Sequence, residues 1–132
     1  TCGKAHAIQA QIYARTPGRH LMISGGELTV SKASKDGQGG PNLEYLVGLM
    51  SALPRHAKIE ALAGDTDGID GTQDNAGGYL QASWVQHNEA LHALKTNNTY
   101  PLVQRLGGLI MTGPTRTNVN DVRLIAIEGA SS

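Results

Sequence analysis

Three short stretches of this sequence concentrate groups that can do chemistry. The densest is Thr112-Gly113-Pro114-Thr115-Arg116-Thr117-Asn118-Val119-Asn120-Asp121. It offers hydroxyls, amides, one guanidinium fork and one carboxylate, more polar capacity than a reversal of chain direction needs. Short apolar runs flank it, Leu109-Ile110-Met111 and Val122 to Ile127. A polar loop between two strands is where a rigid sheet can hold groups out to a ligand, although a long solvated hairpin would read the same way. Ser24-Gly25-Gly26-Glu27 follows the apolar run Leu21-Met22-Ile23, and Gly64-Asp65-Thr66-Asp67-Gly68-Ile69-Asp70-Gly71 follows Ile59 to Ala63. Ligands of open α/β sheets bind beyond the carboxyl ends of strands, so three such loops point to one composite site.

The acidic stretch carries Asp65, Asp67, Asp70 and Asp74. Carboxylates this close repel one another unless a cation, hydrogen bonds or open solvent relieves them. A calcium hand needs oxygen ligands at the fifth and twelfth loop positions, where counting from Asp65 gives Ile69 and Ala76, so that reading fails. Magnesium needs only one or two carboxylates completed by phosphate oxygens and water; solvated turn carboxylates are the alternative. Gly37-Gln38-Gly39-Gly40-Pro41-Asn42 runs into a helix start, whose free N–H groups can hold an anion, but it lacks the Lys-Ser/Thr ending of a nucleotide P-loop. His6, His20, His56, His87 and His92 have no metal-ligand spacing, and no Ser sits in a Gly-x-Ser-x-Gly elbow.

The elements that would carry these loops follow from periodicity. Helices are expected over Lys4–Ala14 (Ala5, Ile8 and Ile12 at helical spacing, Ala7 and Ala10 alongside), Asn42–Leu53, Leu80–Gln86, Asn88–Lys95 and Tyr100–Leu106. Leu43, Leu46, Val47, Leu49 and Met50 mark the buried stripe of the second, which Pro41 opens and Pro54 stops. Thr99 is the expected N-cap of the last. Strands are expected at His20–Ser24, Glu27–Lys32, Lys58–Ala63 and on both sides of the Thr/Asn-rich loop, the first two paired through Gly25-Gly26. Helices interspersed among short strands give an α/β fold: a single domain with a mixed β-sheet of about five or more strands covered by helices.

The totals narrow the function classes. One core fits 132 residues. Eleven basic side chains balance eleven acidic ones, so nothing points to nucleic acid or an anionic membrane. No run is long and apolar enough to span a bilayer. The lone Cys2 cannot pair within the chain, which with the missing leader pattern suggests a reducing, cytoplasmic setting. Seventeen glycines without a fixed period fit tight turns and close backbone approach to a ligand. The start Thr-Cys-Gly-Lys, entering helical pattern at once, reads as a piece of something longer.

Five segments, in order, resemble one family: Leu21 to Val30, Gly39 to Glu44, Ala63 to Gly71, Asn97 to Tyr100 and Met111 to Asp121. It is the MOFRL domain, the C-terminal domain of the glycerate 2-kinase family, whose members also carry the label hydroxypyruvate reductase. The resemblance covers nearly all of residues 1–132. It implies a two-domain protein whose active site lies in the cleft between a missing N-terminal α/β domain and this one. It further implies transfer of the ATP γ-phosphoryl group to D-glycerate with Mg2+. Ser24, Gly25, Gly26 and Glu27 would line the cleft, Asp65 and Asp67 would hold metal or substrate, and Asn42, Glu44, Thr112, Thr115, Arg116, Thr117, Asn118 and Asp121 would meet substrate or phosphate. The family usually reads Gly-Gly-Arg-Asn-Gln-Glu where this chain has Gly39 to Glu44, and Gly where it has Arg116. Two other expectations stand beside this one: an NAD(P)H-dependent hydroxypyruvate reductase, and a ligand-binding module without catalysis.

Overall fold

The computed structural model describes residues 2–25, 40–65, 77–110 and 121–129. In chain order these form α1 (Cys2–Ala14), β1 (Arg19–Gly25), α2 (Pro41–Ser51), β2 (Ile59–Asp65), β3 (Gly77–Gln81) with a 3-10 turn at Ala82–Trp84, α3 (His87–Lys95), α4 (Thr99–Arg105), β4 (Leu109–Ile110) and β5 (Asp121–Glu128). The five strands make one sheet in the order β1-β5-β2-β3-β4. All four neighbouring pairs are antiparallel, where the sequence suggested a mixed sheet. The reason is topological. Strands β1 and β2 run the same way on either side of α2, but β5 inserts between them and opposes both.

Burial alternates along the strands as period-2 geometry requires. On β5, Arg123, Ile125 and Ile127 are buried; their register partners on β2, Ala63, Ala61 and Ile59, are buried too. This is the face that meets the helices. Helix α2 lies at its centre: Leu43, Leu46, Val47 and Leu49 are fully buried, as the sequence stripe indicated. Pro41 opens it at the first turn, where its missing N–H breaks no intrahelical bond, behind an extended Gly40 at the N-cap.

Helix α1 turns the other way from its expected stripe. Ile8 and Ile12 are 64% and 57% exposed, while Gly3, Ala7 and Ala10 are buried. A Cβ on Gly3 would stand 2.6 Å from the Tyr45 carbonyl oxygen and 2.9 Å from the Leu49 nitrogen. The two helices cross too closely for anything but small residues at the contact.

Residues Leu80–Gln86 are not a helix. Gly77–Gln81 is a strand paired with β2 from Gly64↔Gly77 to Glu60↔Gln81, and only the 3-10 turn follows it. Sheet pairing overrides local preference here, and the two leading glycines hide the strand pattern. Asn98 holds the N-cap position of the last helix, without a side-chain cap hydrogen bond, and Thr99 is already inside it. The expected strand at Glu27–Lys32 lies outside the described residues.

Candidate functional site

The ends of the three polar loops meet at one end of the sheet. Strand β1 finishes at Gly25, which pairs with Val122 near the start of β5. Val122 also pairs with Gly64, and the next position sets Asp65 opposite Asp121. Gly64 pairs in turn with Gly77 at the start of β3, and Gly77 with Ile110 at the end of β4. Residues 26–39, 66–76 and 111–120 are therefore all entered or left along one contiguous edge five strands wide. The first turn of α2 belongs to the same end, because a Cβ on Gly78 would touch Leu43 and Leu46 side chains at 2.9 and 3.1 Å.

Of the residues singled out in the sequence, Ser24, Gly25, Asn42, Glu44, Asp65 and Asp121 fall among the described residues, and all six stand at this end. Gly26, Glu27, Asp67, Thr112, Thr115, Arg116, Thr117 and Asn118 lie outside the described residues. Asn42 is buried in the first turn of α2. Glu44, two residues on, is half-buried, and burial raises its carboxyl above the usual range. Its backbone N–H donates to the Gly40 carbonyl at 3.0 Å, closing the first helical turn. Among the described residues no group of three or more His, Cys, Asp or Glu side chains could hold a metal ion by itself.

A residue that loop reasoning passed over organises this end. Arg123 is 3% exposed, and its guanidinium donates to the Gly25 carbonyl at 2.8 Å and to Ser24 Oγ at 3.2 Å. The same group lies 5.5 Å from the centre of the Tyr45 ring, a cation–π distance. Tyr45 Oη in turn is 2.6 Å from His6 Nδ1 on α1. Arg123 thus ties the tip of β1 to the first turn of α2, with α1 braced behind. Burial, and then the Arg123 charge, push the His6 imidazole below its ordinary value. The signal was in the sequence: Arg123 shares its strand phase with Ile125 and Ile127, so alternation aims it at the core.

The other end of the sheet has a different character. Surface hollows of about 410 and 690 Å3 lie there. Lys58, just before β2, and Glu128, at the far end of β5, border both, and Arg19 at the start of β1 borders the smaller. Neither hollow is bordered by a residue at the loop end.

Residues 20–121 match the MOFRL family. A Pyrococcus horikoshii protein named glycerate 2-kinase is 40% identical over 81% of this chain and 25% of its own length. An Agrobacterium vitis protein named "Putative hydroxypyruvate reductase" is 43% identical over 81% of this chain and 26% of its own. The crystal structure of a glycerate kinase from Thermotoga maritima superposes with a TM-score of 0.81 at 28% identity, over 96% of this chain and 32% of that one. A crystal structure from Pyrococcus horikoshii OT3 gives the same TM-score at 31% identity, over 98% of this chain and 31% of that one. The chain spans about a quarter to a third of the proteins it matches. The segments that carried the resemblance and these matches agree, and the chain belongs to the MOFRL family.

Proposed function

We propose that this chain is the C-terminal lobe of a glycerate 2-kinase-like enzyme and lends its loop end to an interdomain active site. The observation that carries the reading is the shared edge of Gly25, Asp65, Gly77, Ile110 and Asp121, where the strand ends flanking three polar segments come together. The glycerate 2-kinase names among its relatives supply the reaction. An oxygen of D-glycerate attacks the γ-phosphorus of ATP, the bond to the bridging oxygen breaks, ADP leaves and the hydroxyl proton is lost. Catalysis of this kind is positioning and charge neutralisation.

In this reading Ser24, Gly25, Gly26 and Glu27 line the cleft. Asn42 and Glu44 border the positive end of the α2 dipole, a natural neighbour for phosphate. Thr112, Thr115, Arg116, Thr117, Asn118 and Asp121 contact substrate or phosphate, and Asp65 with Asp67 holds the metal. The donor chemistry suits magnesium, which needs only one or two carboxylates, and the register sets two acidic residues, Asp65 and Asp121, opposite one another on adjacent strands. Bound there, Mg2+ would neutralise phosphate charge and orient the γ-phosphoryl group. In this reading the rest of the longer protein supplies the second wall of the cleft, and the 132 residues alone are expected to be inactive.

The name of the Agrobacterium relative favours a second reading, reduction of hydroxypyruvate by NAD(P)H. Against it, the sequence has no Gly-x-Gly-x-x-Gly dinucleotide fingerprint. One pair of assays on the longer protein containing this segment separates the two. ATP-dependent phosphorylation of D-glycerate supports the kinase; NADH oxidation driven by hydroxypyruvate, without phosphorylation, replaces it with the reductase.

A further inference from the structure

The sheet has two unlike faces. On the central strands β2 and β5 the positions facing the helices are buried, and those between them are half-buried or exposed. One row of the second face reads Ile23, Leu124, Leu62 and Tyr79 across β1, β5, β2 and β3. The next row toward the loop end reads Gly25, Val122, Gly64, Gly77 and Ile110. Leu21 and Ile23 are 61% and 69% exposed, and Leu62, Val122 and Leu124 are only half-buried. An antiparallel sheet with one solvated face normally carries polar residues on it. Among the described residues of this face the charged and amide side chains come at the far end, where Glu60 accepts a hydrogen bond from Tyr79 Oη and Gln81 lies beside it. Rows without charge, with exposed or half-buried Leu21, Ile23, Leu62, Val122 and Leu124 on one face, mark a surface made to be covered.

We infer that this open face is where the rest of the polypeptide docks, through an aliphatic surface of its own that carries no formal charge. The inference rests on the reading of this chain as one lobe of a longer protein. The solved structures it superposes on extend it roughly threefold, since it covers 96–98% of itself but only 31–32% of them. The two rows border the loop end directly, so a lobe seated on Ile23, Leu62 and Leu124 also reaches the edge where the loops emerge. The same contact that buries the face thereby closes the site.

Hydroxyl-radical footprinting of unmodified protein tests this without any substitution. In the 132-residue chain, Leu21 and Ile23 should be oxidised at rates comparable with Leu91, which is 50% exposed on α3. In the longer protein, Leu21 and Ile23 should be protected about fivefold or more relative to Leu91, as residues at the centre of an interface are. Equal rates in the two proteins would overturn the inference. So would protection already present in the 132-residue chain and lost on dilution, which would give the face to a second copy. The readout is burial, so a longer protein that phosphorylates nothing can still show the protection.

Discussion

At the scale of single residues the loop end depends on one buried cation. Replacing Arg123 with Met removes the donors to Gly25 and Ser24 and the charge over Tyr45. We expect a loss of about 2–3 kcal/mol in denaturant unfolding. Arg123→Lys should recover only part of it, because an ammonium cannot reproduce a planar fork that bonds two acceptors. The same change is readable at His6, whose imidazole titrates below its ordinary value of 6.5 in the intact protein. Its contribution to stability is full above that value and fades as pH falls through the lowered one. In Arg123→Met the His6 midpoint, followed by NMR, should move upward. Glu44 has the opposite sign. Its pKa is raised above 4.5 by burial, so the protonated form suits the fold and ionisation works against it as pH rises. Glu44→Gln should therefore be more stable than the parent at pH 7, the advantage disappearing below about pH 4. If Glu44 serves the site, the same variant loses activity while gaining stability.

The elements show how closely the loop end is fitted. A Cβ on Gly77 would stand 1.9 Å from the Ala63 carbonyl oxygen, so β3 enters the sheet pressed against β2. Gly77→Ala must part the two strands, and we expect at least about 2 kcal/mol of destabilisation, with amide exchange accelerated at the β2–β3 pairing and unchanged in α3. Much of this architecture was legible beforehand. Helix α2 declared itself through the stripe of Leu43, Leu46, Val47, Leu49 and Met50 between two prolines, and the strands at His20–Ser24, Lys58–Ala63 and Val122–Ile127 because their apolar runs are short and end in glycine or acidic residues. Helix α1 misled because its largest apolar residues face outward and its real contact is made by Gly3, Ala7 and Ala10. Strand β3 was hidden by its paired glycines, and the insertion of β5 between β1 and β2 is a long-range choice that no local pattern encodes. The loops were conspicuous by composition, whereas Arg123 was concealed inside a hydrophobic strand, its phase the sole clue.

At the scale of the whole molecule, the described helices cover one face of the sheet, and the strand ends flanking the polar segments line up along one edge. The described helices are all too short or too polar to cross a membrane. Relatives three to four times longer share this lobe. On the proposed reading, the apolar open face and the edge beside it meet the rest of the longer protein and share a cleft with it. The central claim is that the edge bearing Asp65 and Asp121 takes part in phosphoryl transfer. The most direct measurement is the rate of ATP-dependent D-glycerate phosphorylation by the longer protein, set against its Asp65→Asn and Asp121→Asn variants. The account predicts transfer by the parent and a loss of at least about 100-fold in each variant, with unfolding midpoints little changed. Transfer at the parental rate in both variants, or none by the parent, would contradict it.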